Sequence, residues 1–113
     1  SHEAPFVWQW QNAYWLVVDA GQRGIRAYRS QDGLTEWQFN NGLLFEPGKR
    51  LKDDAKGGHP GVILLEGRPI VLYHVHYPPD HPLYRTNRTV LQAAELEYHD
   101  DKITCNRDKY AKP

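Results

Sequence analysis

The first side chain in this sequence that could do chemistry is Glu3, which stands just ahead of an apolar run opened by a proline. Trp8 and Trp10 lie in the same run. A carboxyl group beside aromatic surface suits general acid catalysis, because desolvation favours its protonated form. The alternative is an ordinary residue near a chain end. We therefore predict Glu3 as a candidate catalytic acid.

A second candidate is His59, which follows two glycines and precedes a proline. Glycines let the backbone approach another group closely. When the sequence is aligned on itself at an offset of 56 residues, His59 falls on Glu3, and residues 14–18 fall on residues 70–74. The two side chains would then occupy equivalent places in two copies of one unit. The alternative is a histidine satisfied by backbone groups at the start of a strand.

His74 and His76 are two residues apart, so they share one face of a strand. A His-x-His pair can bind a metal, but the spacing specifies no third ligand. We therefore predict no metal site and no cofactor. Packing, or a hydrogen bond from His76 to a bound ligand, is the preferred interpretation.

A charged loop precedes His59 and contains Arg50 and Asp53 among several lysines. Carboxylates and guanidinium groups bind sugar hydroxyls in carbohydrate sites, so both residues are candidate substrate ligands. A solvated loop is the alternative. The four tryptophans are expected in the core, but one facing a groove would give a sugar an apolar π face. Trp8 is the candidate for that role.

The composition excludes several other classes of function. Fourteen basic and fourteen acidic residues cancel, so the charge gives no reason to expect nucleic acid or an anionic membrane as a partner. No apolar run approaches the roughly 18 residues of a membrane helix. Cys105 is the one cysteine, which excludes an intrachain disulfide and a zinc-thiolate cluster.

Turn residues interrupt the chain about every 8 to 12 positions, and no stretch has sustained helical periodicity. The pair Asp32-Gly33 predicts a turn over residues 31–34, because Asp-Gly supplies the positive φ that tight turns need. We predict an all-β fold with two four-stranded antiparallel sheets, because a repeat of this length is typical of a propeller blade. The expected units are residues 1–56 and 57–113 of a single partial-propeller domain. The predicted strands are 5–9, 14–19, 25–30, 36–39, 61–65, 69–76, 89–98 and 103–106.

Three segments resemble the five-bladed β-propeller glycoside hydrolases of family 43. They are Glu3-Ala4-Pro5, the segment Ser30-Gln31-Asp32-Gly33-Leu34 closed by Trp37, and Gly58-His59-Pro60. The resemblance implies that Glu3 is the general acid that protonates the leaving glycosidic oxygen. It also implies that His59 reaches the central cavity, and that the protein is soluble and bacterial, with its compartment left open.

Members of that family use three carboxylates, and the resemblance places the other two upstream of the Glu-Ala-Pro segment. Inverting glycosidases need two carboxyl groups about 6.5–9.5 Å apart. We therefore expect an incomplete catalyst, active only if a partner chain completes it, for example with Asp53 or Asp54. Open sheet faces predict self-association into a homo-oligomer. The alternatives are a non-catalytic sugar-binding module and a structural interaction domain.

Overall fold

The computed structural model describes residues 2–77 and 89–111, with the side chain of His76 left aside. These residues form two antiparallel sheets of four strands each, in the orders β1-β2-β3-β4 and β5-β6-β7-β8. The predicted all-β fold class is confirmed. The strands are β1 (Glu3–Trp10), β2 (Ala13–Asp19), β3 (Ile25–Ser30), β4 (Gln38–Leu43), β5 (Gly57–Leu65), β6 (Arg68–His76), β7 (Thr89–His99) and β8 (Lys102–Cys105).

The first strand of each sheet carries a β-bulge beside a proline. In β1 the register shifts between Glu3 and Phe6, where Ala4 has a φ of 50°. In β5 it shifts between Gly58 and Gly61, where His59 has a φ of 47°. A bulge bends its strand and re-aims the neighbouring side chains. The bulges therefore interrupt regular pairing at the start of β1 and at the start of β5, and they bend each strand there.

The strand pairing shows that equivalent positions in the two sheets are 55 residues apart in sequence. Asp19 pairs with Glu3 in the first sheet, and His74 pairs with Gly58 in the second. His59 therefore corresponds to Ala4, and the predicted equivalence of His59 with Glu3 is wrong by one position. The two apolar runs look alike at either offset, but the prolines beside the two bulges, Pro5 and Pro60, are 55 residues apart and agree with the observed register.

The sheets pack face to face and bury one core between them. Trp15 lies at its centre, 6.5 Å from the ring of Trp8 and 5.8 Å from the ring of Tyr98 in the other sheet. Trp10 also contacts Tyr98 edge to face. Aromatic pairs at such distances stabilise the folded state by more than the burial of their apolar surface alone. Each sheet thus depends on the other for its buried surface.

The fourth strand begins two residues later than predicted and runs further, because its asparagines bind the second sheet. The side chain of Asn40 is buried, donates to the carbonyl of Asp101 and accepts from the amide of Ile103, both at 2.8 Å. Asn41 donates to the carbonyl of Ile103 at 2.8 Å. These bonds join residues about 60 positions apart, so local sequence gave no sign of them.

The predicted turn after β3 is confirmed, and Asp32 organises it. Its Oδ1 accepts the N–H groups of Leu34 and Thr35 at 2.9 and 2.8 Å, and the Thr35 hydroxyl donates to Oδ2 at 2.7 Å. The Ser30 hydroxyl lies 2.6 Å from the Thr35 carbonyl. The bonds from the Thr35 and Leu34 amides hold the pKa of Asp32 well below its ordinary value of 3.8.

We expect Asp32→Asn to lower stability at neutral pH, and we expect the loss to shrink as the pH falls. Because the folded-state pKa is depressed, the unfolded chain binds the proton first, so the stabilisation is complete above the unfolded pKa and is lost on acidification. Urea unfolding of both proteins between about pH 7 and pH 2.5 measures the difference. If the difference in unfolding free energy between the two proteins stays constant over this range, the charge of Asp32 does not stabilise the turn.

Within residues 2–77 and 89–111, no helix is long and apolar enough to cross a membrane.

Candidate functional site

Glu3 and His59 meet across the two sheets, although they lie 56 positions apart in sequence. The Glu3 Oε2 is 3.6 Å from the His59 Nε2. Both side chains are open to solvent, at 65% and 47% exposure respectively. At this distance the carboxylate forms an ion pair with the imidazole when the imidazole is protonated, but the separation is too long for a direct hydrogen bond. Two predicted site residues are therefore brought together at an accessible edge of the molecule.

Asp19, which the sequence analysis missed, links the same two strands. It ends β2 opposite Glu3. Its Oδ2 accepts the backbone N–H of His59 at 2.8 Å, and its Oδ1 accepts the N–H of Gly21 at 2.8 Å. An aspartate ahead of a glycine is typical of a turn. The sequence therefore gave no signal for a carboxylate that binds the second sheet.

His74 completes this group from β6. Its ring lies 5.7 Å from that of His59, with 18° between the planes. We call Glu3, Asp19, His59 and His74 the bulge site. Glu3 and His59 lie at the two bulges, and Asp19 and His74 lie on the neighbouring strands that pair with the bulged ones. The predicted ligand His76 follows on the same strand, but its side chain lies outside the described residues.

Arg50 and Asp53 belong to a separate, interior group. Asp53 is fully buried; its Oδ2 accepts from Arg50 at 2.9 Å and its Oδ1 accepts from Arg107 at 2.6 Å. The hydroxyl of Tyr73 also donates to Asp53, at 2.8 Å. We call these four residues the arginine cluster. Its position explains the charged loop, which is anchored in the interior instead of being simply solvated.

The arginine cluster and the bulge site are separated by the β6 strand. Tyr73 and His74 are consecutive residues, so their side chains leave opposite faces of that strand. Burial, reinforced by the hydrogen bond to Asp53, raises the pKa of Tyr73 above its ordinary value, so the phenol stays protonated. A role for Asp53 in binding substrate stays a prediction, and its burial keeps it out of direct reach of solvent.

The predicted sugar platform, Trp8, lies in the core. It is only 7% exposed and stacks against Trp15. In this position the indole contributes to packing between the sheets. Cys105 is similarly unsuited to nucleophilic chemistry, because burial raises the pKa of its thiol to about 12.

The chemistry available at the bulge site is proton donation and hydrogen bonding. Glu3 offers an exposed carboxyl, and His59 and His74 offer two imidazoles. Within the described part of the chain, no group of three or more His, Cys, Asp or Glu side chains is placed to hold a metal ion. These residue types suit a polyhydroxylated ligand, whose hydroxyls donate and accept at short range.

No protein-family model matches this sequence, and no curated protein matches it either. Solved structures do match. A thermostable family-43 glycoside hydrolase has 21% sequence identity and a TM-score of 0.70, and the alignment covers 93% of this chain and 35% of that one. An α-L-arabinanase from Cellvibrio cellulosa, complexed with arabinohexaose, has 14% identity and a TM-score of 0.70, covering 97% and 38%.

A third similar structure is a family-43 β-1,3-galactosidase with galactodeoxynojirimycin, at 14% identity and a TM-score of 0.58, covering 91% of this chain and 30% of that one. These likenesses show the fold: the two sheets have the architecture of part of a family-43 propeller. The chain spans about a third of the length of these similar structures.

Proposed function

We propose that this chain supplies two blades of a carbohydrate-active propeller of the glycoside hydrolase type, with its sugar contact at the bulge site. The observation that carries the proposal is the approach of the exposed Glu3 carboxyl to the His59 imidazole, 3.6 Å apart on the first strands of adjacent blades. The fold likeness to glycosidases supports it. Two of the similar structures were solved with arabinohexaose and with galactodeoxynojirimycin.

In this proposal Glu3 is the general acid. A protonated carboxyl donates its proton to the leaving glycosidic oxygen, and the neighbouring His59 binds a sugar hydroxyl and holds the Glu3 side chain near it. His74 supports the His59 ring by stacking on it. The geometry at the bulge site thus combines a proton donor with a hydrogen-bonding partner.

Hydrolysis also needs a second carboxylate across the scissile bond. Both oxygens of Asp19 bind backbone N–H groups, and Asp53 is buried in the arginine cluster. We propose that the second carboxylate comes from further blades, whether in the same protein or in a partner chain. The engagement of Asp19 also favours a second candidate function, which is sugar binding without catalysis by the two blades alone.

Thermal unfolding with added sugars tests this proposal. We expect arabinohexaose or galactodeoxynojirimycin to raise the Tm, since a ligand that binds only the folded state stabilises it by mass action. His59→Ala should abolish the rise. The control is His99→Ala, which removes another exposed histidine, at the far end of β7. If no glycoside in a broad panel shifts the Tm, a purely structural role is favoured.

The outer faces of both sheets carry exposed apolar side chains, and we propose that further blades of the same kind cover them. On the first sheet Val7 and Phe39 are each 48% exposed. On the second, Ile63, Leu65 and Leu91 are 49–61% exposed. Exposed apolar side chains on a sheet face favour association, which would cover them. A second copy of the chain is one source of such blades, consistent with self-association.

Leu91→Glu is therefore expected to reduce self-association, because a charge at an exposed apolar position of the face opposes its burial. Light scattering on a sizing column measures the mass of both proteins. The matched control is Leu34→Glu, which adds the same charge at an exposed turn residue outside the sheet faces. A wild-type protein that stays monomeric at every concentration measured would rule out the homo-oligomer.

A further inference from the structure

Asp19 stands out because its carboxylate makes a long-range bond at the place where the two blades meet. Both of its oxygens are used, one by Gly21 within its own blade and one by His59 of the other blade. Two bonds in different directions fix the rotamer of the carboxylate. The carboxylate therefore links the end of β2 to the bulge of β5 in a fixed orientation.

The residue that Asp19 binds has an unfavourable backbone conformation. His59 has a φ of 47° and is followed by Pro60, a combination that sterics disfavour for a residue with a side chain. Such conformations persist only where surrounding contacts hold them. The charge-assisted bond from the His59 N–H to the Asp19 carboxylate is such a contact.

Gly58 provides the space for this bond. A Cβ added at Gly58 would lie 2.7 Å from the Asp19 Oδ2, closer than side-chain atoms approach each other. The glycine before His59 thus lets the carboxylate reach the backbone. For one of the two consecutive glycines before His59, this is the close approach of backbone to another group that a glycine permits.

We propose that Asp19 is a positioning residue of the bulge site: its carboxylate holds the strained His59 backbone so that the imidazole faces Glu3 and stacks on His74. The proposal rests on the proposed function, because the orientation matters for sugar binding. Asp19 itself acts through His59 and makes no bond to the sugar. Without Asp19, the His59 backbone relaxes and the imidazole leaves the carboxyl of Glu3.

The test combines NMR with a sugar titration on the whole chain. In Asp19→Ala we expect the amide resonance of His59 to move upfield, because its hydrogen bond to the carboxylate is lost, and its hydrogen exchange to accelerate. The contact between the His59 and His74 rings should weaken, and the Kd for arabinohexaose should rise about tenfold. Asp19→Asn keeps an acceptor oxygen and should restore part of each signal.

Gly58→Ala is the second variant, because it displaces the carboxylate without removing it and should reproduce the effects of Asp19→Ala. Gly61→Ala on the same strand is the control, since a Cβ there meets nothing within 4 Å. An unchanged His59 amide in Asp19→Ala, or an unchanged sugar affinity despite a shifted amide, overturns the proposal. If the wild-type protein binds no sugar, the proposed function fails, and the amide and ring signals still decide whether Asp19 holds His59.

Discussion

Replacing Asp53 with alanine is expected to lower the free energy of unfolding by about 3–5 kcal/mol, because it removes one partner of a buried ion pair. Arg107 is only 6% exposed and would keep its charge in the interior without the carboxylate 2.6 Å away. Tyr73 would lose the acceptor for its hydroxyl as well. A loss of this size is a large fraction of the stability of an ordinary domain.

Urea unfolding followed by tryptophan fluorescence measures the effect, since Trp15 lies in the core between the sheets. Glu46→Ala is the matched control: it removes an exposed carboxylate from the same loop and should change stability by no more than about 0.5 kcal/mol. A loss below about 1 kcal/mol for Asp53→Ala would contradict the burial argument.

A double variant keeps the prediction testable if Asp53→Ala alone fails to fold. Asp53→Ala combined with Arg107→Met removes both the carboxylate and the guanidinium that it neutralises. Replacing a buried pair by apolar groups is often near neutral, so the double variant should be more stable than Asp53→Ala alone. If the two substitutions simply add, the Asp53–Arg107 pair is not the source of the stability.

Glu3→Gln is expected to abolish glycoside hydrolysis while leaving sugar binding intact. The amide keeps the shape of the carboxyl but has no acidic proton to give the leaving oxygen, so an assembly of this chain that hydrolyses a glycoside should lose about 100- to 10,000-fold in kcat. The Kd for the sugar should change little, because the hydrogen-bonding atoms stay in place.

Steady-state kinetics with an aryl glycoside, alongside calorimetric binding, separates these two effects. The control is Glu66→Gln, which neutralises an exposed carboxylate in the β5–β6 turn. Retained hydrolysis in Glu3→Gln would exclude Glu3 as the acid. Lost binding together with lost hydrolysis would show that the carboxyl contacts the sugar in the ground state.

Much of the fold was readable because apolar residues recur at strand spacing between turn residues. The β3 prediction of 25–30 matches the strand, and Asp32 organises the turn that the Asp-Gly pair indicated. The start of β5 was missed because Gly57 and Gly58 read as loop. They are glycines for packing reasons, since a Cβ at Gly57 would lie 2.9 Å from the ring of Tyr73.

The candidate site was readable only in part. Glu3 and His59 were singled out by their residue types and by a repeat, and they do lie together, although the register differs by one residue. Asp19 was missed because its partner is 40 positions away. Asp53 looked like a surface charge because its counter-ion Arg107 is 54 residues distant in sequence. Long-range polar bonds leave no local pattern.

The most direct test of the sugar site is a chemical-shift titration of the isotope-labelled protein with arabinohexaose. We expect the resonances of Glu3, His59 and His74 to shift first and most, and those of the arginine cluster to stay in place. A titration that shifts residues elsewhere, for example around the exposed Leu65 at the far end of β5, or that leaves the bulge site unchanged at saturation, would contradict the assignment of the sugar contact to Glu3 and His59.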